Sequence, residues 1–467
     1  MDPRIATVAV VVGILGLFVL DRDQKTRTSG ALWIPVAWLS ISASRMVSQW
    51  LGAPLVESSD QLLEGNTFDA LIFAGLLACG LIVLLSRSRL TGRFLHENTP
   101  LVLFFLYCLI SVLWSDYPFV AFKRWTKAVG DLAMVMVVLT DSNPSAALKR
   151  FLSRVGFAMI PLSILFIRYF PTLGREYSSW TGEAYNIGVA TGKNSLGYVC
   201  LIFGLGSLWC LLEGYRGEKS ASRNRVLVAH GAIVALALWL FWMADSATSV
   251  ACFLIGGTLI AATTLPSFIR WPIRVHFLVG LVLFLALYAL ILNPGVGLVE
   301  TMGRDATLTG RTALWDQALR IPVNRWLGAG YESFWLGGRL EQMWQINWEH
   351  PNQAHNGYLE VYLDLGWIGL ALIGLVMAWG YRSVVRTLRW NPDLGRLKLA
   401  FFVIAAVYNL TEHGFRELHP VWIAFLLSVT VVPDAFAVEE LEIVARAPHE
   451  YCFDQSAAGA HACEEIT

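Results

Sequence analysis

A cluster of basic residues opens a long apolar stretch of the sequence. Lys123 and Lys127 lie four residues apart in "AFKRWTKAVGD", and Asp131 follows at the same interval. On a helix this spacing places the three side chains on one face. Ionisable groups within an apolar helix are costly and usually face a cavity or a partner. The pattern favours an anion site at Lys123 and Lys127, with an internal Lys127–Asp131 ion pair as the alternative.

Three arginines lie in glycine-containing polar segments and suit phosphate binding. They are Arg175, Arg304 and Arg311. A guanidinium group presents a planar set of donors that matches phosphate oxygens, and it stays charged at any working pH. Gly303 and Gly310 would let the backbone bend beside Arg304 and Arg311. We predict phosphate-binding loops here; ordinary ion pairs on the protein surface are the alternative.

A histidine immediately precedes an apolar run in "HPNQAHNGYLEVYLDLGWIGL". His355 is followed by Asn356, a residue type that caps helices, so the imidazole would stand at the mouth of a helix. An imidazole titrates near neutral pH and can take a proton from a hydroxyl group. Glu360 could orient this imidazole if the chain before the helix bends back. A structural histidine bonded to the backbone is the alternative, and His350 is the weaker candidate.

Another polar segment, "NLTEHGFRE", holds Glu412 and His413 close to Arg416. Glu412 is expected either to form a structural ion pair with Arg416 or to support the site. The sequence has no Walker loop, no HExxH, no GxSxG and no paired-aspartate metal motif. We therefore expect neither a metal ion nor a cofactor.

The elements that must position these residues are membrane helices. Of the 467 residues, 56% are hydrophobic and only 15% are charged, whereas about a quarter of the residues of a soluble protein are charged. So much apolar surface requires lipid as its solvent. The net charge of +0 gives no indication of nucleic-acid binding. We predict an all-α, polytopic membrane protein.

A helix needs about 20 mostly apolar residues to cross a bilayer. This criterion predicts twelve to fourteen transmembrane helices, with candidates at 4–20, 31–48, 68–86, 99–115, 119–140, 152–169, 193–213, 226–243, 247–265, 275–292, 356–380, 397–411 and 418–434. The predicted regions are a transmembrane part (1–292), a long loop with the site motifs (293–355), C-terminal membrane helices (356–434) and a disordered cytoplasmic tail (435–467).

Loop charges predict the orientation of these helices. Cytoplasmic loops carry an excess of Lys and Arg. The basic loops alternate along the chain, at 87–98, 141–151, 214–225, 266–274 and 381–398. One topology therefore places all of them in the cytoplasm. The unusual polar segments then share the periplasmic side, namely 115–118, 170–192, 293–355 and 412–417.

Three neighbouring stretches carry a family resemblance. "TGRTALWDQAL", "PVNRWLGAGYESFW" and "HNGYLEVYLDLGWIGL" resemble the signature region of the O-antigen ligase and Wzy-type polymerase superfamily. The strong resemblance covers roughly 304–370. Upstream, "SVLWSDYP" and "ATGKNSLGY" are similar in style to the exopolysaccharide-polymerase branch.

The resemblance implies a metal-independent membrane glycosyltransferase of the bacterial inner membrane. Its donor would be an oligosaccharide on undecaprenyl pyrophosphate, presented in the periplasm together with a glycan acceptor. A chain-length regulator and export machinery are further expected partners. Carried over by motif, Arg311 fits the pyrophosphate clamp and His355 the base that activates the acceptor hydroxyl, with Glu360 as a third catalytic candidate.

Further contacts to the pyrophosphate are expected from Arg304, Arg175, Lys193, Lys127 and Lys123, and support from Asn356, Tyr358 and Glu412. One departure from the family pattern concerns the second phosphate contact. Many relatives carry a basic residue where "DSATSVACFLIG" has Ala247. Lys193, Arg175, Lys127 or Arg304 would have to replace it.

Other functions remain open at this stage. Polymerisation of lipid-linked repeats is favoured over ligation to lipid A core or protein by the exopolysaccharide-like motifs. A secondary transporter of an anionic solute would place ionisable residues near the middle of the bilayer, whereas the charged motifs here cluster at predicted helix ends. A scaffold without catalysis would require that His355 and Arg311 be dispensable.

Overall fold

Helices dominate the fold. A computed structural model describes residues 2–22, 26–53, 63, 65–177, 182–217, 219–292, 307–347 and 350–431. The first helices are α1 (Pro3–Leu20), α2 (Trp33–Ser42), α3 (Val47–Trp50), α4 (Thr67–Ser86), α5 (Ser88–Glu97), α6 (Thr99–Ser111), α7 (Pro118–Leu139), α8 (Pro144–Tyr169), α9 (Pro171–Gly174) and α10 (Lys193–Arg216). The later helices are α11 (Ala221–Ala244), α12 (Ala247–Ala262), α13 (Pro266–Arg270), α14 (Pro272–Leu292), α15 (Thr307–Arg320), α16 (Gly337–Ile346), α17 (Gly357–Trp390), α18 (Pro392–Tyr408) and α19 (Pro420–Val429).

The remaining regular elements are short. Two 3₁₀ turns span Gly30–Leu32 and Val112–Trp114. Strands β1 (Arg175–Tyr177) and β2 (Ala184–Asn186) pair antiparallel, with Arg175 opposite Asn186. The predicted all-α class is therefore confirmed.

Several helices have the length and composition of membrane spans. In the part of the chain that the structure describes, seven helices are long and apolar enough to cross a bilayer, or eight if the bent pair Ser88–Glu97 and Thr99–Trp114 forms one span. Shorter apolar helices at Gly30–Ser42, Ala247–Ala262 and Pro420–Val429 coincide with further predicted spans. The chain is a multi-pass membrane protein, and the count of twelve to fourteen spans stays a prediction.

The centre of the bundle is formed by the most buried helices. Of the apolar stretch of α10, 72% is buried, and α10 packs against α8, α11 and α12. α18 and α19 are buried over nearly their whole length. Only 6% of α1 and 11% of α14 are buried. Because these two helices are apolar on all sides, their exposed faces are suited to lipid.

The interval predicted as one long loop contains two helices and a small core of its own. In the described part, 307–347 and 350–355, Leu314 of α15, Phe334 of the loop before α16 and Leu340 of α16 form one core with Leu363 of α17. The expected bend at Gly310 is wrong, since Gly310 lies inside α15. Arg304 and Gly303, like the predicted tail 435–467, lie outside the described residues.

The polar segment 115–118 docks on the loop before α16. Arg339 Nη1 lies 2.5 Å from Asp116 Oδ2, and the hydroxyls of Ser115 and Ser333 are 2.8 Å apart. Gly337 has φ of +49°, and a Cβ atom there would overlap the phenol oxygen of Tyr117. Segments far apart in the sequence thus assemble at one end of the bundle.

Gly366 interrupts α17, and the turn after α15 packs against this break. Gly366 has φ of +63° and ψ of −162°, a conformation that residues with a side chain avoid. Around this break the Trp367 N–H donates to the Arg325 carbonyl (2.9 Å) and the Gly330 N–H to the Asp364 carbonyl (2.8 Å). The "LGAG" and "DLGW" motifs therefore form one joint that places the segment 325–330 against α17.

Candidate active site

The carboxylate of Glu412 joins three segments of the chain. Its Oε1 lies 3.0 Å from Arg311 Nη2 and accepts a hydrogen bond from Asn194 Nδ2 at 3.2 Å. Its Oε2 lies 3.4 Å from His355 Nδ1. The Glu412 side chain is only 8% exposed. A buried carboxylate is stable only when such partners replace water. Arg311, Asn194 and His355 therefore form one polar cluster around Glu412, here called the Glu412 cluster.

Arg311 reaches this cluster from the first turns of α15. Its Nη1 donates to the Thr411 carbonyl, next to the Glu412 contact. Two donors of one guanidinium thus hold adjacent groups of the 409–419 segment. The predicted Glu412–Arg416 ion pair is replaced by the pair with Arg311. Arg311, from the family-like motif, and Glu412, from the "NLTEHGFRE" segment, are therefore in direct contact.

His355 is held at the mouth of α17 by its backbone. Asn356 caps the helix as predicted, since its Oδ1 accepts from the N–H groups of Tyr358 and Leu359 at 3.1 and 3.0 Å. The Gly357 N–H donates to the carbonyls of Asn409 (2.9 Å) and Glu412 (3.0 Å). These bonds tie the start of α17 to the 409–419 segment.

The imidazole of His355 is oriented by a carboxylate and remains accessible. Its side chain is 32% exposed and its backbone has φ of +52°. Because Nδ1 faces Glu412, Nε2 is the ring nitrogen left for a substrate hydroxyl. A carboxylate on the other ring nitrogen orients an imidazole and stabilises its protonated form. The geometry suits a general base.

Glu360 does not orient His355 directly. It is 1% exposed, and its Oε2 accepts from Trp335 Nε1 at 2.7 Å while its Oε1 accepts from the Ala354 N–H. The chain before α17 does bend back over Glu360, as the hypothesis required, but the group that reaches the carboxylate is the backbone of Ala354. Glu360 positions the residue before His355, and Glu412 contacts the imidazole.

The charged stripe of α7 contacts other parts of the fold. The alternative, a Lys127–Asp131 ion pair, does not form in the described structure, because Asp131 accepts from Trp38 Nε1 (2.7 Å) and from the Leu418 N–H (2.8 Å). Asp131 thereby ties α2, α7 and the 409–419 segment together.

Lys127 has Glu417 as a charged neighbour, and Lys123 Nζ stands 5.0 Å from the ring centre of Phe119. No bond links either lysine to the Glu412 cluster in the described structure.

Among the other predicted phosphate contacts, Lys193 directly precedes a member of the Glu412 cluster, Asn194. It begins α10, one residue before Asn194, and its Nζ lies 4.7 Å from the ring centre of Tyr185.

Arg175 begins β1 and donates from Nε to the Ile167 carbonyl at 3.2 Å, so it is held at the end of α8. Tyr358 donates to the Ala406 carbonyl at 3.0 Å and joins α17 to α18.

Ala247 lies beside the cluster. It begins α12, and the hydroxyl of the next residue, Thr248, is 3.2 Å from the hydroxyl of Thr411. The starts of α10 and α12 therefore approach the same pair of residues, Thr411 and Glu412. Lys193 stands on the first of these helix starts, and the family's expected basic residue would stand on the second.

Sequence reasoning missed Asn194 and Thr411. Asn194 follows Lys193 in the "TGKN" stretch, and Thr411 precedes Glu412. Neither an asparagine nor a threonine indicates a functional site by itself. Both residues do lie next to predicted site residues, Lys193 and Glu412.

A second group of buried charges lies under the cluster. His413 Nε2 is 3.8 Å from Glu332 Oε1, and Nδ1 is 3.7 Å from Glu360 Oε1. Burial lowers the pKa of the His413 imidazole, and Arg416 lowers it further. Burial also raises the pKa of the Glu332 carboxyl, with Glu417 adding to the effect. Neutral forms are favoured for both, so His413 is suited to structure rather than to proton transfer with solvent.

Two comparisons with known proteins show what the chain is similar to. The sequence model of the O-antigen ligase family matches residues 220–374, a range that includes Arg311, His355 and Glu360. The chain is also similar to the exopolysaccharide production protein ExoQ of Rhizobium meliloti (strain 1021), with 24% identity over 327 residues, covering 68% of this chain and 71% of that protein. Residues 220–374 are therefore similar to the O-antigen ligase family, and a longer part of the chain is similar to an exopolysaccharide production protein.

Proposed function

We propose that the protein polymerises a surface polysaccharide by moving a glycan from an undecaprenyl-pyrophosphate donor to an acceptor hydroxyl in the periplasm. The observation that carries this proposal is the contact of Glu412 with both Arg311 and His355. It joins a phosphate-binding cation and a candidate base at one end of the bundle.

The leaving group requires positive charge. The acceptor oxygen bonds to the anomeric carbon while the bond from that carbon to the phosphate oxygen breaks, and the pyrophosphate leaves with the electron pair. Arg311 is positioned by Glu412 and Thr411 to stabilise this charge. Lys193 adds a second cation at the start of α10, where the helix dipole also favours an anion. In this proposal, Lys193 replaces the basic residue that many relatives carry at the position of Ala247.

The acceptor requires a base. His355 takes the proton of the attacking hydroxyl on Nε2, and Glu412 stabilises the imidazolium that results. No step of this scheme needs a metal ion, since the arginine and lysine supply the positive charge. The lipid tail of the donor would enter from the bilayer between helices.

Ligation is the second candidate. The matched family is described as O-antigen ligase, whereas the similar protein from Rhizobium meliloti is described by exopolysaccharide production. We favour polymerisation because the similarity to the latter extends over 327 residues, beyond the range matched by the family. The two reactions share the donor chemistry and differ in the acceptor.

The test compares two matched pairs of variants at equal protein level. His355→Asn and His350→Asn replace histidines that both have positive φ, a conformation that Asn tolerates. Arg311→Gln and Arg320→Gln change two arginines of α15, of which Arg320 is 77% exposed. We expect His355→Asn to lower polymer synthesis by about 10²- to 10⁴-fold, the usual contribution of a general base, and Arg311→Gln to lower it strongly. His350→Asn and Arg320→Gln should remain active.

Wild-type polymer from both His355→Asn and Arg311→Gln would refute the catalytic assignment. The glycans that accumulate in the inactive strains separate the two reactions. Single repeats attached to the acceptor indicate a polymerase, whereas full-length polymer on the undecaprenyl carrier indicates a ligase.

A further inference from the structure

A basic cavity lies between the end of α1 and the start of α8, away from the Glu412 cluster. It has a volume of about 680 Å³. Four arginines line it, namely Arg22, Arg27, Arg150 and Arg154. Among the described lining residues the carboxylate is Asp21, which lies 3.1 Å from His230 Nε2. The described lining thus carries an excess of positive charge that an anion would balance.

Arg150 and Arg154 have different roles in this cavity. Arg150 holds the wall of the cavity, because its Nη1 donates to Thr28 Oγ1 at 2.6 Å and its Nη2 to the Thr26 carbonyl at 2.5 Å. Arg154 stacks on Trp33, with 4.4 Å between its guanidinium carbon and the ring centre. Its Nη1 is buried and has no hydrogen-bond partner in the described structure. An unsatisfied buried donor on a charged group is costly, and a bound oxyanion would satisfy it.

The cavity and the Glu412 cluster lie at opposite ends of α10. Asn194 contacts Glu412 at the start of this helix, and Glu213 contacts Lys149 near its end, next to Arg150. Asn194 and Glu213 are 19 residues apart, which corresponds to about 28 Å along a helix. The hydrocarbon core of a bilayer is about 30 Å thick. The two sites are therefore suited to opposite membrane surfaces, and the cavity does not belong to the candidate active site.

The apolar surroundings indicate what carries the anion. Val8, Val12, Leu15 and Val19 of α1 are each about 60% exposed and recur at intervals of four and three residues, so they form one lipid-facing stripe. Phe18, three residues after Leu15, lines the cavity together with Phe157. An acyl chain lying along this stripe would bring its headgroup into the cavity.

We propose that this cavity binds the phosphate group of an anionic phospholipid from the leaflet opposite the Glu412 cluster. Guanidinium groups match phosphate oxygens in a planar, two-donor geometry. Basic pockets between membrane helices recognise anionic headgroups in the same way. Since arginine stays protonated, binding persists across the neutral pH range.

The test uses the purified full chain in detergent micelles. Dioleoylphosphatidylglycerol, dioleoylphosphatidylcholine or inorganic phosphate is added at constant ionic strength, and the midpoint of thermal unfolding is followed. We expect a saturable rise with phosphatidylglycerol for the wild type and for Arg270→Gln, an exposed arginine of α13 that is not part of the cavity lining. Arg154→Gln should raise the half-saturating concentration about tenfold or more, as expected for the loss of a charged hydrogen bond.

A second variant guards against misfolding of the first. Arg27 is exposed, so Arg27→Gln leaves the helix packing unchanged and should also weaken the response to phosphatidylglycerol. An equal response to phosphatidylcholine, or an undiminished response in both variants, would overturn the proposal. A saturable response to inorganic phosphate that Arg154→Gln removes would retain the phosphate site and reject the lipid as its source.

Discussion

At the scale of single residues, Glu412 holds the candidate site together. Arg311 and His355 are 44 positions apart in the sequence, and the same carboxylate contacts both. It balances the charge of the guanidinium and orients the imidazole. Asn194 adds a neutral donor to the same carboxylate. The charge of Glu412, and not only its shape, should therefore matter for activity.

Replacing Glu412 with Gln tests this role. The amide keeps the size of the side chain but removes the negative charge that favours protonated His355. We expect turnover to fall by roughly 10- to 100-fold, as for other groups that orient a functional side chain. The measurement is the initial rate of polymer formation at equal protein level.

Asp316→Asn is the matched control, since Asp316 lies on α15 and is 62% exposed. It should leave the rate unchanged. A Glu412→Gln protein whose activity falls only together with its midpoint of thermal unfolding would mean that Glu412 serves structure alone.

At the scale of elements, the break in α17 determines where the site can form. The helix starts directly after His355 and Asn356, and the segment that follows α15 packs against its kink at Gly366. α15 in turn carries Arg311. The Trp315 Nε1–H also donates to the Ala354 carbonyl at 2.7 Å, directly before His355. One kinked helix therefore sets the distance between the arginine and the histidine.

Gly366→Ala should disturb this joint. A Cβ at Gly366 would overlap the main chain of Trp326, and the positive φ alone costs a residue with a side chain about 1–2 kcal/mol. We expect a lower midpoint of thermal unfolding in detergent and a loss of activity. Gly374→Ala, in the same helix, meets no atom within 4 Å of its Cβ and should be tolerated. Equal stability of the two variants would show that the joint is not rigid.

The whole molecule has two unlike ends. The segments assigned to the periplasm by loop charge contact one another, as in the bonds of Asp116 with Arg339 and of Asn194 with Glu412. The basic loops meet at the other end, where Lys149 pairs with Glu213 and Arg87 lies 3.6 Å from Asp141. These contacts are consistent with the predicted topology, because each of them joins segments near the same predicted side.

Cysteine labelling tests the orientation. In a chain without its native cysteines, Arg320→Cys and Arg270→Cys place single thiols at exposed positions on opposite predicted sides. A membrane-impermeant maleimide added to spheroplasts should label position 320 at once and position 270 only after permeabilisation. The reverse pattern would invert the topology and remove the candidate site from the periplasm.

Much of this protein follows from its sequence alone. Apolar runs of about 20 residues require a membrane whatever their partners are, and loop charge predicts orientation because it acts locally. The capping of α17 by Asn356 was also predictable, since a cap needs only the residues that follow it. The family resemblance at Arg311 and His355 was carried by short contiguous motifs.

The partners across the fold were decided by tertiary structure. Local spacing paired Lys127 with Asp131 and Glu412 with Arg416, but burial brought Trp38 and Leu418 to Asp131 and Arg311 to Glu412. A buried charge takes whichever partner the packing of helices provides, and sequence distance does not limit that choice. The sequence by itself determined a membrane protein with a basic, histidine-containing end. Only the tertiary structure identified Glu412 as the residue that joins the two parts, because its partners come from three separate elements.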